Sequence, residues 1–144
     1  MTVTSVSERV DATATRQTKS SLWAGWTLSG LIIAFCLMDG AMKLLHPQFV
    51  IDATSDIDWP ADPTTLTALG VILVVCTALY ALPRTAVLGA ILLTGYLGGA
   101  VASHARHADP LLTHDLFGVY LGILVWGGLW FRDVRIRALM PFRG

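Results

Sequence analysis

The chain has 144 residues, of which 54% are hydrophobic and only 14% are charged, and its mean hydropathy is +0.62. This composition excludes an ordinary water-soluble domain, and the length leaves room for a single domain. The formal net charge is zero and the basic residues are scattered, so nucleic acid is not an expected partner. The sequence predicts an all-α integral membrane protein, a four-helix bundle whose partner is the lipid bilayer.

Residues 1–21 are rich in Ser and Thr and show no apolar periodicity. Such a segment cannot bury enough surface to offset the entropy lost when a chain becomes ordered. The sequence therefore predicts a disordered cytoplasmic tail over residues 1–21 and a membrane domain over residues 22–141.

The first predicted span covers about residues 22–45. Its stretch 23–38 contains no charged residue and rises about 24 Å through a hydrocarbon core that is about 30 Å thick. The span is expected to stop at His46 and Pro47, because proline disfavours helical geometry in the residue before it. The stretch is longer than the apolar part of a usual signal peptide and no clean cleavage site follows, so we expect the span to be retained.

Three more apolar runs predict spans at about residues 66–82, 85–103 and 111–131. Only a short turn at Pro83 and Arg84 separates the second span from the third. Because this turn is too short to cross a membrane, the two spans are expected to be antiparallel.

Two pairs of glycines with a spacing of four residues occur in the third and fourth spans. They are Gly95 with Gly99 and Gly118 with Gly122. Helices in lipid associate through close backbone contact, which small residues allow. We expect the third and fourth spans to touch along these faces; the alternative is that glycine is simply common in membrane helices.

The positions of the basic residues predict that both ends of the chain lie in the cytoplasm. Positively charged loops stay on the cytoplasmic side of a membrane. In a four-span arrangement eight of the ten Lys and Arg residues share one side. Lys43 and Arg106 are the exceptions. The acidic loop 46–65, which has no Lys or Arg, is expected on the external side.

Ionisable residues gather at the external end of this predicted bundle. In the first span, four polar positions lie on one helical stripe: Cys36, Asp39, Lys43 and His46. Asp39 and Lys43 have the order and spacing that favour an ion pair. Placing a charged side chain in lipid costs free energy, so such a residue is expected to have an ion-pair partner or a functional role. The complete cluster consists of Asp39, Lys43, His46, His104, Arg106, His107, His114 and Asp115.

Two interpretations of this cluster stay open. In the first, it is a polar pocket that binds a quinone head group, relays protons or holds a metal. In the second, Lys43 and Arg106 extend to the membrane surface, Asp39 pairs with Lys43, and the histidines are ordinary loop residues.

Metal and thiol chemistry receive little support from spacing. The three histidines of residues 104–114 match no established ligand pattern, so no metal site is predicted. Cys36 and Cys76 lie inside separate spans and do not form a C-x-x-C motif. They are expected to be small buried side chains.

Two motifs carry a family resemblance. H-x-R-x-x-D-P-L-x-x-H begins at His104, and W-G-G-L-W-x-R-D-x-R begins at Trp126. Further matching positions are Gly40, Lys43, Leu44, Pro47, Thr94, Gly95, Gly98, Ala100, Tyr120, Gly122 and Pro141. With these residues, the chain from about Trp23 to Pro141 resembles the DoxX-like family of small four-helix bacterial membrane proteins.

The resemblance implies a multi-pass protein of the bacterial cytoplasmic (inner) membrane. Named members of the wider superfamily are similar to a membrane subunit of thiosulfate:quinone oxidoreductase or of a terminal quinol oxidase, and to mycobacterial partners in a thiol-defence complex. Many members have no established activity. This chain lacks the paired cysteines of the related methylamine-utilisation branch, so the resemblance does not extend to a dithiol electron path.

Three functions follow as hypotheses, and none assigns a catalytic residue. The first is an accessory subunit of a quinone-linked oxidoreductase, in which a redox partner protein supplies the electrons. Quinone is then the candidate cofactor, and the site is lined by Asp39, Lys43, His104 and His114. The second is a non-catalytic membrane anchor or assembly factor. The third is a small-solute transporter, which could act as a homo-oligomer. The sequence has no inverted repeat, so this third hypothesis has less support.

Overall fold

The computed structural model describes residues 19–106, 116–133 and 136. They form an all-α helical bundle with five helices, which confirms the predicted class and adds one short helix. These are α1 (Lys19–Leu45), α2 (Gln48–Ser55), α3 (Pro63–Ala81), α4 (Ala86–Arg106) and α5 (Phe117–Arg132). Helix α1 begins three residues before the predicted position, while residues 1–18 of the predicted tail and residues 111–115 of the predicted fourth span lie outside the described residues.

Three of the helices are long and apolar enough to cross a membrane, namely α1, α3 and α4, and α5 is a shorter apolar helix. Large hydrophobic side chains cover the outside of the bundle; Leu31, Ile72 and Ile123 are each about half exposed or more. Polar Ser29 and Thr77 lie fully buried inside it. Because a soluble bundle has the opposite arrangement, the chain is a multi-pass membrane protein.

Local sequence determines where the helices end. Helix α1 ends before His46, whose backbone φ of 52° is left-handed. Pro47 prevents α1 from continuing past this point. Helix α3 begins after Asp62, which caps it, with Pro63 in the first turn. Between α3 and α4, the hydroxyl of Thr85 donates a 2.8 Å hydrogen bond to the carbonyl of Leu79 and closes the turn.

Helices α1, α3, α4 and α5 form a ring. Helix α1 packs against α3 and α5, and α4 packs against the same two helices. Fully buried side chains from all four helices fill the middle of the ring. They include Ile32, Leu73, Leu93 and Val125. Helix α2 lies in the connection between α1 and α3 and buries Val50.

Each contact between neighbouring helices contains a glycine whose Cβ position is occupied by the other helix. For example, a Cβ on Gly70 of α3 would lie 3.0 Å from the carbonyl oxygen of Gly40 in α1. A side chain at such a position would push the helices apart. The contact glycines are Gly25 (α1 with α5), Gly40 and Gly70 (α1 with α3), Gly89 (α3 with α4) and Gly118 (α4 with α5).

The cap at the start of α3 predicts a stability that depends on pH. The exposed carboxylate of Asp62 accepts hydrogen bonds from the hydroxyl of Thr65 at 2.7 Å and from its amide at 3.1 Å. These bonds lower the pKa of Asp62 below its usual 3.8. A carboxyl group with a lowered pKa in the folded state adds stability above its unfolded pKa and loses it as the pH falls through the folded pKa.

We therefore expect Asp62→Ala to lower the thermal unfolding temperature in detergent at pH 7, and this difference to shrink as the pH falls below about 4. Asp56→Ala is the matched control, because the exposed side chain of Asp56 makes no hydrogen bond with another described residue. If Asp62→Ala lowered the unfolding temperature by the same amount at pH 7 and below about pH 4, the carboxylate charge would contribute nothing to stability.

Candidate functional site

The loop end of the bundle, meaning the end with α2 and Arg106, contains the polar stripe of α1. Lys43 Nζ and Asp39 Oδ1 lie 2.6 Å apart in an ion pair with i, i+4 spacing. Their side chains are 18% and 35% exposed, respectively, and the Cβ of Lys43 lies beside Gly70 of α3. The pair is thus held between helices. A partly buried charge pair in an apolar span is a candidate functional site in its own right.

Tyr96 of α4 lies beside this ion pair, and sequence reasoning did not identify it. The side chain is half-buried and close enough to Asp39 to be influenced by its charge. Its hydroxyl makes no hydrogen bond with another residue in the described part of the chain. A tyrosine hydroxyl inside a protein usually has a partner, and within the described residues this hydroxyl is available as a donor. We call Asp39, Lys43 and Tyr96 the Asp39 site.

Two cysteines lie near the Asp39 site. Cys36 is 2% exposed and lies near the side chain of Thr77. Cys76 is 5% exposed. Both thiols are free, and their burial agrees with the prediction that they are small core side chains. Tyr96 itself packs against the buried hydrophobic core.

The other members of the predicted cluster have different neighbours. His46 Nε2 lies 3.0 Å from the hydroxyl of Thr67 and connects the end of α1 to α3. Arg106 is exposed at the end of α4 and lines a surface depression with Trp59. His104 lies half-buried two residues earlier on α4. The remaining predicted members, His107, His114 and Asp115, lie outside the described residues.

The third and fourth predicted spans, α4 and α5, touch as expected, but of the four predicted glycines only Gly118 lies against the other helix. A Cβ on Gly118 would lie 3.0 Å from the carbonyl oxygen of Leu97. A Cβ on Gly95, Gly99 or Gly122 would have no described atom within 4 Å. The reason is the rotation of α4, which turns Gly95 and Gly99 to the exposed surface.

A second polar group lies at the opposite end of the bundle, around Arg132. Arg132 donates a 2.8 Å hydrogen bond to the carbonyl of Tyr80, and its guanidinium lies 4.7 Å from the ring centre of Tyr80 and 4.9 Å from that of Trp26. The Tyr80 hydroxyl lies 3.1 Å from that of Ser29 and donates a 2.9 Å bond to the carbonyl of Val125. These five residues, the Arg132 cluster, join α1, α3 and α5.

The Arg132 cluster is packed too tightly to hold a ligand. A Cβ on Gly128 would lie 2.5 Å from the Ser29 hydroxyl and 2.9 Å from that of Tyr80. The cluster therefore has a structural role: it holds α1, α3 and α5 together. The one sequence signal for it was an arginine that directly follows an apolar run rich in tryptophan. Among the described residues there is no group of three His, Cys, Asp or Glu side chains that could hold a metal ion.

Comparison with known proteins gives one match. Residues 27–128 match the sequence model of a family described as the DoxX-like family, and this stretch includes the whole Asp39 site. No curated protein matches the chain, and no solved structure matches it.

Proposed function

The chain belongs to the DoxX-like family, and from this membership and the geometry of the Asp39 site we propose that it is an accessory membrane subunit of a quinone-linked oxidoreductase. The membrane would be the bacterial inner membrane, with the loop end external. The observation that carries the proposal is the partly buried Asp39–Lys43 ion pair. The hydroxyl of Tyr96 adds to it, because Tyr96 is near enough to Asp39 to be influenced by its charge and its hydroxyl makes no hydrogen bond within the described residues.

The donor groups of the Asp39 site suit a quinone. A quinone head group is a flat ring with two carbonyl oxygens, and it takes up two electrons and two protons when it is reduced to the quinol. Lys43 and Tyr96 each present a hydrogen-bond donor, and their helices, α1 and α4, both pack against α3 and α5. The nearby surface is apolar, which excludes water and strengthens these bonds.

Each residue of the site has a distinct role in this proposal. The Lys43 ammonium binds one carbonyl oxygen of the ring, and the Tyr96 hydroxyl binds the other. Asp39 orients the Lys43 ammonium through the 2.6 Å contact. In this proposal a redox partner protein supplies the electrons.

The test is lipid extraction and ultraviolet–visible spectroscopy of the protein purified from bacterial membranes in a mild detergent. We expect the wild-type protein to retain quinone in a stoichiometric amount. Tyr96→Phe removes one hydrogen bond and should weaken quinone binding about tenfold, and Lys43→Met should weaken it more. Tyr120→Phe is the matched control, because Tyr120 is exposed on α5. Quinone absent from the wild type, or retained equally by Tyr96→Phe and Lys43→Met, would overturn the proposal.

A non-catalytic anchor or assembly factor is the second candidate, and helix α2 favours it. This helix lies in the connection at the loop end and exposes 61% of the Phe49 side chain, which suits protein docking. In this case the purified protein would carry no quinone. Capture of a specific partner would then be lost in Phe49→Ser and unchanged in Tyr96→Phe.

A further inference from the structure

The connection between α1 and α3, residues 46–62, reaches a third helix. Helices α1 and α3 are neighbours in the ring, yet the indole Nε1 of Trp59 in this connection donates a 2.8 Å hydrogen bond to the hydroxyl of Ser103 in α4. The Ser103 hydroxyl in turn donates a 3.0 Å bond to the carbonyl of Gly99. Ser103 is only 9% exposed. The connection is thereby fastened to the loop end of α4.

The face of α4 that Trp59 contacts also carries Tyr96 of the Asp39 site. Tyr96, Gly99 and Ser103 are spaced three and four residues apart, so they lie on one face of the helix. Two helical turns, about 10 Å, separate Ser103 from Tyr96. Between them Gly99 has no side chain, and Trp59 lines the same surface depression as Gly99 and Ser103. The indole therefore lies on this face between the loop end and Tyr96.

Among the described residues, the side-chain hydrogen bonds of α2, the helix inside this connection, stay within α2. Gln48 Nε2 donates a 2.8 Å bond to the carboxylate of Asp52, and the Thr54 hydroxyl donates a 2.7 Å bond to the carbonyl of Val50. Helix α2 is also absent from the closely packed helix pairs of the described bundle. A segment with few contacts to the core opens at a low cost in free energy. One hydrogen bond at its end then changes that cost measurably.

We propose that residues 46–62 form a lid at the loop end of the bundle and that Trp59 is its latch. In the structure the lid is closed. When the bond between Trp59 and Ser103 breaks, the indole leaves the face of α4, and water and small water-soluble solutes reach the space around Tyr96. The lid concerns the aqueous route to the Asp39 site and does not depend on whether that site binds a quinone.

A lid at this position controls how far water reaches the ion pair of the Asp39 site. With the lid closed, the side chains of Lys43 and Asp39 are 18% and 35% exposed. Opening increases this exposure, which weakens the attraction between the two charges because water screens them. It also lets the site exchange protons with the solution at the loop end.

The test measures how fast a water-soluble thiol reagent reaches a native cysteine near Tyr96. Cys36 and Cys76 both lie near Tyr96 and are 2% and 5% exposed. The opposite end of the bundle is closed by the Arg132 cluster, which is packed too tightly to admit a reagent. The full-length protein in detergent is labelled with sulfonatoethyl methanethiosulfonate, and peptide mass spectrometry follows the labelling of Cys36. Its rate reports opening at the loop end.

Two variants break the latch from its two sides. Trp59→Phe keeps an aromatic ring but removes the N–H donor, and Ser103→Ala removes the acceptor. Each variant should be labelled at Cys36 about fivefold faster than the wild type, which is the effect of one lost hydrogen bond on an opening equilibrium. The double variant should be no faster than either single variant, because all three lose the same bond.

Trp126→Phe is the matched control. The indole Nε1 of Trp126 donates a 3.0 Å bond to the hydroxyl of Thr94, so this variant also loses an indole bond to α4. Trp126 belongs to α5 and not to the lid. Its labelling rate at Cys36 should therefore equal that of the wild type.

Thermal unfolding distinguishes a lid from a purely structural bond. If the Trp59–Ser103 bond only stabilises the fold, both variants lower the unfolding temperature while Cys36 is labelled at the wild-type rate. This result would overturn the proposal. An equal increase in Trp126→Phe, which would show a general loosening of α4, would also overturn it, as would a Cys36 that stays unlabelled in every variant. None of these outcomes bears on quinone retention, which is measured separately.

Discussion

Replacing Gly89 with alanine is expected to cost about 3 kcal/mol of folding free energy, at the upper end of the range for overpacking. Gly89 lies in the first turn of α4, where α3 and α4 approach each other most closely. A Cβ there would lie 2.5 Å from the Cα of Tyr80 and 2.7 Å from the carbonyl carbon of Leu79. These are backbone atoms next to a tight turn, so they cannot rotate away as a flexible side chain can.

The measurement is unfolding of the detergent-solubilised protein by increasing fractions of sodium dodecyl sulfate. Gly95→Ala is the matched control on the same helix, because a Cβ at Gly95 would meet no described atom within 4 Å. Its effect should lie within about 1 kcal/mol of zero and favour the alanine variant, since alanine is the better helix former. Equal losses in the two variants would mean that the α3–α4 contact is looser than the structure indicates.

Replacing Arg132 with alanine should cost about 2–3 kcal/mol. The variant loses a charged hydrogen bond to the carbonyl of Tyr80, worth about 1.5–3 kcal/mol, and two cation–π contacts, worth about 0.5–1 kcal/mol each. Part of this loss is offset, because one guanidinium nitrogen, Nη1, is buried and has no hydrogen-bond partner within the described structure. The loss should be accompanied by a change in tryptophan fluorescence, since Trp26 contacts the guanidinium.

Two further variants identify the cause of this loss. Arg84→Ala removes an exposed arginine from the turn between α3 and α4 and should change stability little. Arg132→Lys keeps the charge but loses the planar group that stacks on the two rings, so it should recover only part of the stability. Full recovery in Arg132→Lys would show that charge alone matters and that the ring contacts at 4.7 and 4.9 Å contribute nothing.

The stripe on α1 and the contacts of Arg132 differ in how well they could be predicted. Asp39 and Lys43 are four residues apart on one helix, so helical geometry alone brings them together. Tyr80 and Arg132 are separated by 52 residues in the chain. Their contact depends on the rotation and the axial position of two helices, which no local pattern specifies.

The glycines show the same distinction. Sequence spacing singled out Gly95, Gly99, Gly118 and Gly122, and the structure uses Gly118 for a contact between helices and leaves the other three open. The contacts of Gly25 and Gly89 with backbone atoms of other helices were not predicted. Glycine spacing indicates that a close approach is possible, but it does not indicate which face of the helix turns inward.

Composition, the length of apolar runs and spacing within one helix were enough to predict the membrane class, the all-α fold and the Asp39–Lys43 pair, and two sequence motifs indicated the family. Helix packing in three dimensions determines which glycines lie at helix contacts, that Tyr96 is near Asp39, and that Arg132 joins the helices at the opposite end. This difference has its origin in the solvent. In a soluble helix the apolar face identifies the interior, but in lipid both faces are apolar, so the orientation of each helix follows from packing alone.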